Sequence, residues 1–160
     1  MGEQRLTHVD ATGAARMVDV SGKDVTVRTA TASGRVLVSD EVLRLLADGA
    51  LPKGDALAVA RIAGIQAAKR TPDLVPLCHP LAIHGVEVEV TPGRGAVELR
   101  ATVRTADRTG VEMEALTCVA VAGLTVVDMV KAVDRAATIT DVRVEAKSGG
   151  RSGDWRRDSA

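Results

Sequence analysis

Three stretches of the chain alternate apolar or β-branched residues with polar ones. These are VTVRTATASGRVLVS from Val25 to Ser39, AIHGVEVEVT from 82 to 91 and AVELRATVRTA from 96 to 106. Period-two alternation predicts half-buried strands. Gly34 interrupts the first as a bulge or bend. The second and third are separated by Thr91-Pro92-Gly93-Arg94-Gly95, so they form a hairpin. A fourth strand is predicted at TITDVRVEA, Thr138 to Ala146. Between the strands the period changes. EVLRLLAD reads as a helix capped by Ser39 or Asp40 and ended by Gly49. ALAVARIAGIQAAK reads as a second helix, ending near Arg70 before Pro72. Its residues Ala56, Ala60, Ala63, Gly64, Ala67 and Ala68 make it small-surfaced, suited to close packing on a sheet or a neighbouring subunit.

The most informative stretch is a third helix, predicted from about Val111 to Arg135. It is apolar almost throughout, so it is expected to be largely buried. Yet it carries Glu112, Glu114, Asp128 and Lys131. At about 100° per residue, Glu114 and Asp128 fall about 40° apart around its axis, with Lys131 on the same side. Charges on such a helix are costly unless paired or used. Asp128 and Lys131 read equally well as a structural ion pair at i, i+3 and as a functional pair. Thr109-Gly110-Val111-Glu112 fits a capping box, with Thr109 as N-cap and Glu112 at its third helical position. Glu114, deeper in the helix, is not explained by capping.

The order strand, helix pair, two strands, helix, strand is the split βαβ pattern of an α+β ferredoxin-like sandwich, an antiparallel sheet with helices packed on it. The whole chain, 1–160, reads as one domain. Residues 1–20 form an irregular arm. A Gly- and charge-rich tail, 147–160, is expected to be mobile without a ligand.

Composition narrows the function. There is no Phe or Tyr and a single Trp, so no aromatic platform exists for stacking bases, which argues against a single-strand nucleic-acid binder. Lys plus Arg equals Asp plus Glu at 21 each, so no global basic character suggests a polyanionic partner. No run of about 18 uninterrupted apolar residues marks a membrane span, and the first residues lack the apolar core of a signal peptide. Two cysteines, Cys78 and Cys118, make no disulfide framework, so a reducing cytoplasm is expected.

Polar clusters remain. Leu74-Val75-Pro76-Leu77-Cys78-His79-Pro80 is a stiff loop that would hold His79 rigidly as a hydrogen-bond donor or proton carrier. A Cys78–His79 nucleophile pair lacks an orienting third residue. A metal site from Cys78, His79 and His84 lacks familiar spacing, so no metal is expected. Lys53, ahead of a helix N-terminus, suits an anion as well as it suits solvent. Lys69 and Arg70 suit a helix C-terminus. Lys147-Ser148-Gly149-Gly150-Arg151-Ser152-Gly153-Asp154 reads either as a phosphate-embracing turn or as a linker. Lysines, a histidine and carboxylates without a metal motif suit acid–base chemistry on a phosphorylated small molecule.

The motifs, in order, resemble the MoaC family. They run from Leu6-Thr7-His8-Val9-Asp10 through Met17-Val18-Asp19-Val20, Lys53-Gly54-Asp55, Ala63 to Lys69, Pro76 to Pro80, Thr109 to Thr117 and Asp128 to Val133, and end at Lys147-Ser148-Gly149-Gly150 and Ser152-Gly153-Asp154. The resemblance implies a lyase of molybdenum cofactor biosynthesis, a cyclic pyranopterin monophosphate synthase. Its substrate would be 3′,8-cyclo-7,8-dihydroguanosine triphosphate, supplied by a separate radical enzyme, with pyrophosphate as second product. It implies a homohexamer, a trimer of dimers, with sites at subunit interfaces. It makes Asp128 and Lys131 the acid–base pair, with Lys53, Lys69 and Lys147 holding the triphosphate or assisting proton transfers. Leu77, Cys78, His79, Glu112, Met113 and Glu114 would line the substrate site. No cofactor is implied, with Mg2+ beside the triphosphate left open, and neither nucleic acid nor membrane is an expected partner. Val127, where many members carry an aromatic residue, and Cys118, in place of a smaller residue, depart from the pattern away from these positions. The rival readings are a non-catalytic nucleotide-binding regulator on the same fold and a structural oligomer whose charges are interface ion pairs.

Overall fold

The computed structural model describes residues 8–158; the predicted arm's residues 1–7, with Leu6 and Thr7, and the tail's 159–160 lie outside them. The elements follow as β1 (Thr26–Leu37), α1 (Asp40–Ala47), α2 (Ala56–Ala68), α3 (Thr71–Leu74), β2 (Ile83–Pro92), β3 (Ala96–Asp107), α4 (Glu112–Val130), β4 (Thr138–Ser148) and β5 (Trp155–Arg156). One antiparallel sheet has the order β2-β3-β1-β4-β5. With β1 and β3 central, β2 and β4 beside them and α2 and α4 packed on the sheet, this is the ferredoxin-like α+β arrangement, extended by β5.

The alternation read in the sequence decides which face each strand buries. Ala30, Ala32 and Val36 of β1 sit beside Val103, Ala101 and Val97 of β3, and all are buried. Ser39 caps α1, its hydroxyl accepting from the Val42 amide, and Gly49, at φ +62°, follows the helix end. The predicted irregularity at Gly34 lies on its β4 side, where the register shifts between Ser33 and Arg35. A Cβ on Gly34 would stand 2.7 Å from Val119 Cγ1, so the glycine lets α4 lie close to β1.

The small residues of α2 serve α4 rather than the sheet alone. A Cβ on Gly64 would stand 3.0 Å from Cys118 Sγ and 3.1 Å from the Cys118 carbonyl oxygen. We expect Gly64→Ala to lower stability by about 1 kcal/mol: overpacking of about 2 kcal/mol, within the usual range of about 1–3, less about 1 returned by improved helix propensity. A urea melt checks this; an unchanged or raised midpoint would show that the helices can part without cost.

α4 is by length and composition apolar enough to cross a membrane. It is instead the core helix here, packed against β1, β3, β4 and α2.

Four boundaries differ from the sequence reading. Thr109 does not cap α4: Val111 is the N-cap, without a side-chain hydrogen bond, and Glu112 is the first helical residue. Glu112 has a stronger partner in Lys147, whose amine stands 3.2 Å away. The helix ends at Val130 rather than Arg135, because Asp134 binds elsewhere. Its carboxylate accepts from the Ser39 amide at 2.8 Å and the Ala136 amide at 2.9 Å, turning the chain toward β4. The short α3 falls in what reads as loop, with Pro72 in its first turn. Lys147 and Ser148 belong to β4, and the following residues return as β5 instead of trailing away.

Candidate active site

The expected site residues gather at the two ends of α4. At its C-terminal end Asp128 bridges two amines: Oδ1 lies 2.7 Å from Lys131 Nζ and Oδ2 3.0 Å from Lys53 Nζ. Lys53 also donates to the Asp128 carbonyl at 2.9 Å. Lys53 reaches it from the turn before α2, where Gly54 takes φ +95°. The hydrogen bond from Lys131, then that from Lys53, holds the Asp128 carboxyl below its ordinary range. The expectation that the helix buries these charges fails here. Asp128 and Lys131 are 54% and 57% exposed, because this end of the stripe emerges from the fold.

At the N-terminal end lies a cavity of about 410 Å³ that brings together Leu77, Cys78, His79, Glu112, Met113 and Glu114. His79 Nε2 donates to the Val18 carbonyl at 2.6 Å, and a carbonyl can only accept, so the neutral ring keeps its proton on Nε2. Among the described residues Nδ1 has no hydrogen-bond partner. Glu114 is 3% exposed. Burial, with Glu112 nearby, raises its carboxyl to about 7. Burial and the charge of Glu114 push the Cys78 thiol up, away from nucleophile behaviour. Cys118 is pushed by burial to about 12 and packs against α2. His84 is not part of this group: its Nδ1 accepts from the Ala106 amide.

Lys147 stands behind Glu112, paired with it and donating to Ser152 Oγ at 3.0 Å. Lys69 is the exposed C-cap of α2. Because α2 begins beside Asp128 and crosses Cys118, it runs back toward the Glu114 end and carries Lys69 there. Among the described residues Lys69 forms no ion pair.

One wall of the cavity was not anticipated. Val18, Val20, Lys23 and His8 line it from the N-terminal arm. The arm is held by the His79–Val18 bond and by Arg108 Nε donating to the Lys23 carbonyl at 2.9 Å. The available signal was the motif Met17-Val18-Asp19-Val20, which contains two of these residues.

The two ends are far apart. Glu114 and Asp128 are separated by about 21 Å along the axis, at about 1.5 Å per residue. One chain therefore presents a cavity with carboxyls and an imidazole at one end, and a carboxylate–diamine cluster at the other.

On a ferredoxin-like α+β fold the chain thus carries two separated clusters of ionisable side chains, one of them lining a cavity. Residues 17–150 match the model of the MoaC family. The chain is 73% identical to the cyclic pyranopterin monophosphate synthase of Streptomyces griseus subsp. griseus, over 97% of this chain and 88% of the relative. It is 71% identical to the protein of that name from Nocardioides sp., over 96% of both. It is 59% identical to cyclic pyranopterin monophosphate synthase 2 of Mycobacterium tuberculosis, over 95% of this chain and 91% of the relative. The chain belongs to the MoaC family.

Proposed function

We propose that this chain is a cyclic pyranopterin monophosphate synthase of molybdenum cofactor biosynthesis. It would act as a lyase on 3′,8-cyclo-7,8-dihydroguanosine triphosphate, closing a cyclic phosphate as pyrophosphate leaves. The observation that carries the reading is Asp128 held between Lys131 and Lys53 in a chain so similar to proteins of that name. Asp128 accepts from both ammonium groups and so fixes where their remaining protons point. An ammonium held this way can deliver a proton to a ring nitrogen or oxygen and take it back. The carboxyls of Glu112 and Glu114 and Nδ1 of His79 suit the polar edge of a purine-derived ring. Lys147 and Lys69 suit its phosphates. A reducing cytoplasm agrees with two free thiols.

Separation of the clusters favours a site completed by a second copy. No single chain carries Asp128 across about 21 Å to its own cavity. The outer face of the helix layer between the two ends exposes Ile62 (67%) and Leu124 (60%), as the interface of a homohexamer would require. Mixing two inactive variants tests this. Lys131→Ala and Glu114→Ala chains, refolded together, are expected to regain turnover because some shared sites receive both intact ends. No recovery from co-assembled chains would place each site within one subunit. The reaction itself is tested by pyrophosphate release from the cyclised dihydro-GTP. Binding without release would instead favour the nucleotide-binding regulator.

A further inference from the structure

Two of the histidines are committed: His79 donates to the Val18 carbonyl and His84 accepts from the Ala106 amide. His8 is different. It is exposed, it lines the same cavity as Glu112 and Glu114, and its ring has no hydrogen-bond partner among the described residues. The arm around it is closed by its own hydrogen bonds. The His8 carbonyl accepts from the Arg16 amide at 2.9 Å, and Val9 bridges Ala15. Asp10 fastens the inside of this loop. Its amide donates to the Ala14 carbonyl at 3.0 Å. Its Oδ1 accepts from the Thr12 amide at 2.8 Å, the Thr12 hydroxyl at 2.6 Å and the Ala14 amide at 3.0 Å. Gly13, at φ +84°, lets the chain turn back. The arm then runs to Val18, pinned by His79, and to Lys23, whose carbonyl is held by Arg108. Yet residues 10–17 are all exposed. Ordering a loop costs conformational entropy, and here no apolar burial offsets it. The core gains nothing from this loop; what the loop does is fix His8 at the cavity.

Resting on the function proposed above, we propose that His8 is a further catalytic residue, whose imidazole meets the ring portion of the substrate in this cavity and exchanges a proton with it. The other ionisable groups lining the cavity are less free to do so. Glu112 is paired with Lys147, and His79 keeps Nε2 on Val18. Burial favours the protonated forms of Glu114 and Cys78. Lys23, when charged, can only donate. A neutral imidazole offers one donor and one acceptor nitrogen, so it can give a proton at one and take one at the other. The step is proton transfer alone. An imidazolium N–H bond breaks as an N–H or O–H bond forms on the substrate ring, and the imidazole regains its proton from a substrate group or water. Nothing is oxidised or reduced.

Contact is read first, without turnover. Lys131→Ala full chain, isotope-labelled at histidine Cε1, gives one ring signal per histidine by NMR, and adding His8→Gln removes one, which assigns it. Saturating cyclised dihydro-GTP is expected to shift the His8 signal and to leave that of His84 in place. An unmoved His8 signal at saturation would overturn the proposal. Turnover is read second. His8→Gln and His8→Ala are each expected to lower kcat by about a hundredfold or more, with KM changed less. The exposed position leaves the space vacated in His8→Ala open to free imidazole, which is expected to restore part of the rate. A merely structural loss would not respond to it. Wild-type kcat in a folded variant, or a loss that imidazole does not reverse, would also overturn the proposal. If the wild type releases pyrophosphate and the His8 variants do so at its rate, the synthase reading stands and only His8 is misassigned. If the His8 signal shifts but the wild type releases none, the synthase reading fails, and His8 is a ligand contact without a part in proton transfer.

Discussion

Asp128→Ala and Lys131→Ala are each expected to lower turnover by about a thousandfold or more while leaving the unfolding curve almost unmoved. The two expectations come from one geometry. Among the described residues Asp128 is the single carboxylate joining the Lys53 and Lys131 amines, so removing it releases both from fixed positions. Positioned proton transfer contributes about 10²–10⁴-fold in rate. All three side chains are more than a third exposed, and ion pairs in such settings contribute little to stability. The lowered Asp128 carboxyl also keeps the cluster ionised toward acid pH, so loss of this pair cannot limit the rate near neutrality. Asp128→Asn keeps the shape and removes the charge. Turnover within threefold of wild type in a folded Asp128 or Lys131 variant would remove the cluster from the chemistry. A collapsed assembly instead would favour the structural-oligomer reading.

Glu114→Gln is expected to make the protein more stable above pH 7 and less active. The carboxyl rises from 4.5 to about 7 on folding, so the fold prefers its protonated form. The stabilising contribution is complete below the unfolded value of 4.5 and is lost as pH rises through about 7. A shift of that size corresponds to about 3 kcal/mol, an order-of-magnitude ceiling. Gln carries no charge to bury, so its curve of stability against pH is flatter, and the two curves separate between pH 4.5 and 7. Denaturant melts at pH 4, 6 and 8 measure this. Parallel curves would mean that Glu114 titrates in the fold as it does in the unfolded chain. Activity is expected to fall because Gln cannot exchange a proton with bound ligand and offers one acceptor oxygen where the carboxylate offers two.

Much of this was legible in the sequence because the strands alternate cleanly. Val97, Leu99, Ala101 and Val103 are all buried, and the neighbouring Glu98, Arg100 and Arg104 are exposed, so pattern alone fixes the face of β3. Gly64 and its alanines signalled close approach by another backbone, read as a sheet or a neighbouring subunit, whereas the neighbour at Gly64 is Cys118 of α4. The site residues were legible as a set but not as a place. An angle around a helix axis puts Glu114 and Asp128 on one stripe. It carries no information about depth, and one is 3% exposed while the other is 54%. The Thr109 capping box failed for a related reason: local spacing competes with a partner distant in sequence, and Lys147 lies beyond any local window. The same holds for the end of α4, fixed by Asp134 reaching Ser39.

Purified full-length chain mixed with enzymatically made 3′,8-cyclo-7,8-dihydroguanosine triphosphate tests the central claim most directly, with pyrophosphate and oxidised-pterin fluorescence followed together. The account predicts that both appear in equal amounts and that both vanish in Lys131→Ala. Tight binding of that compound without either product would contradict it.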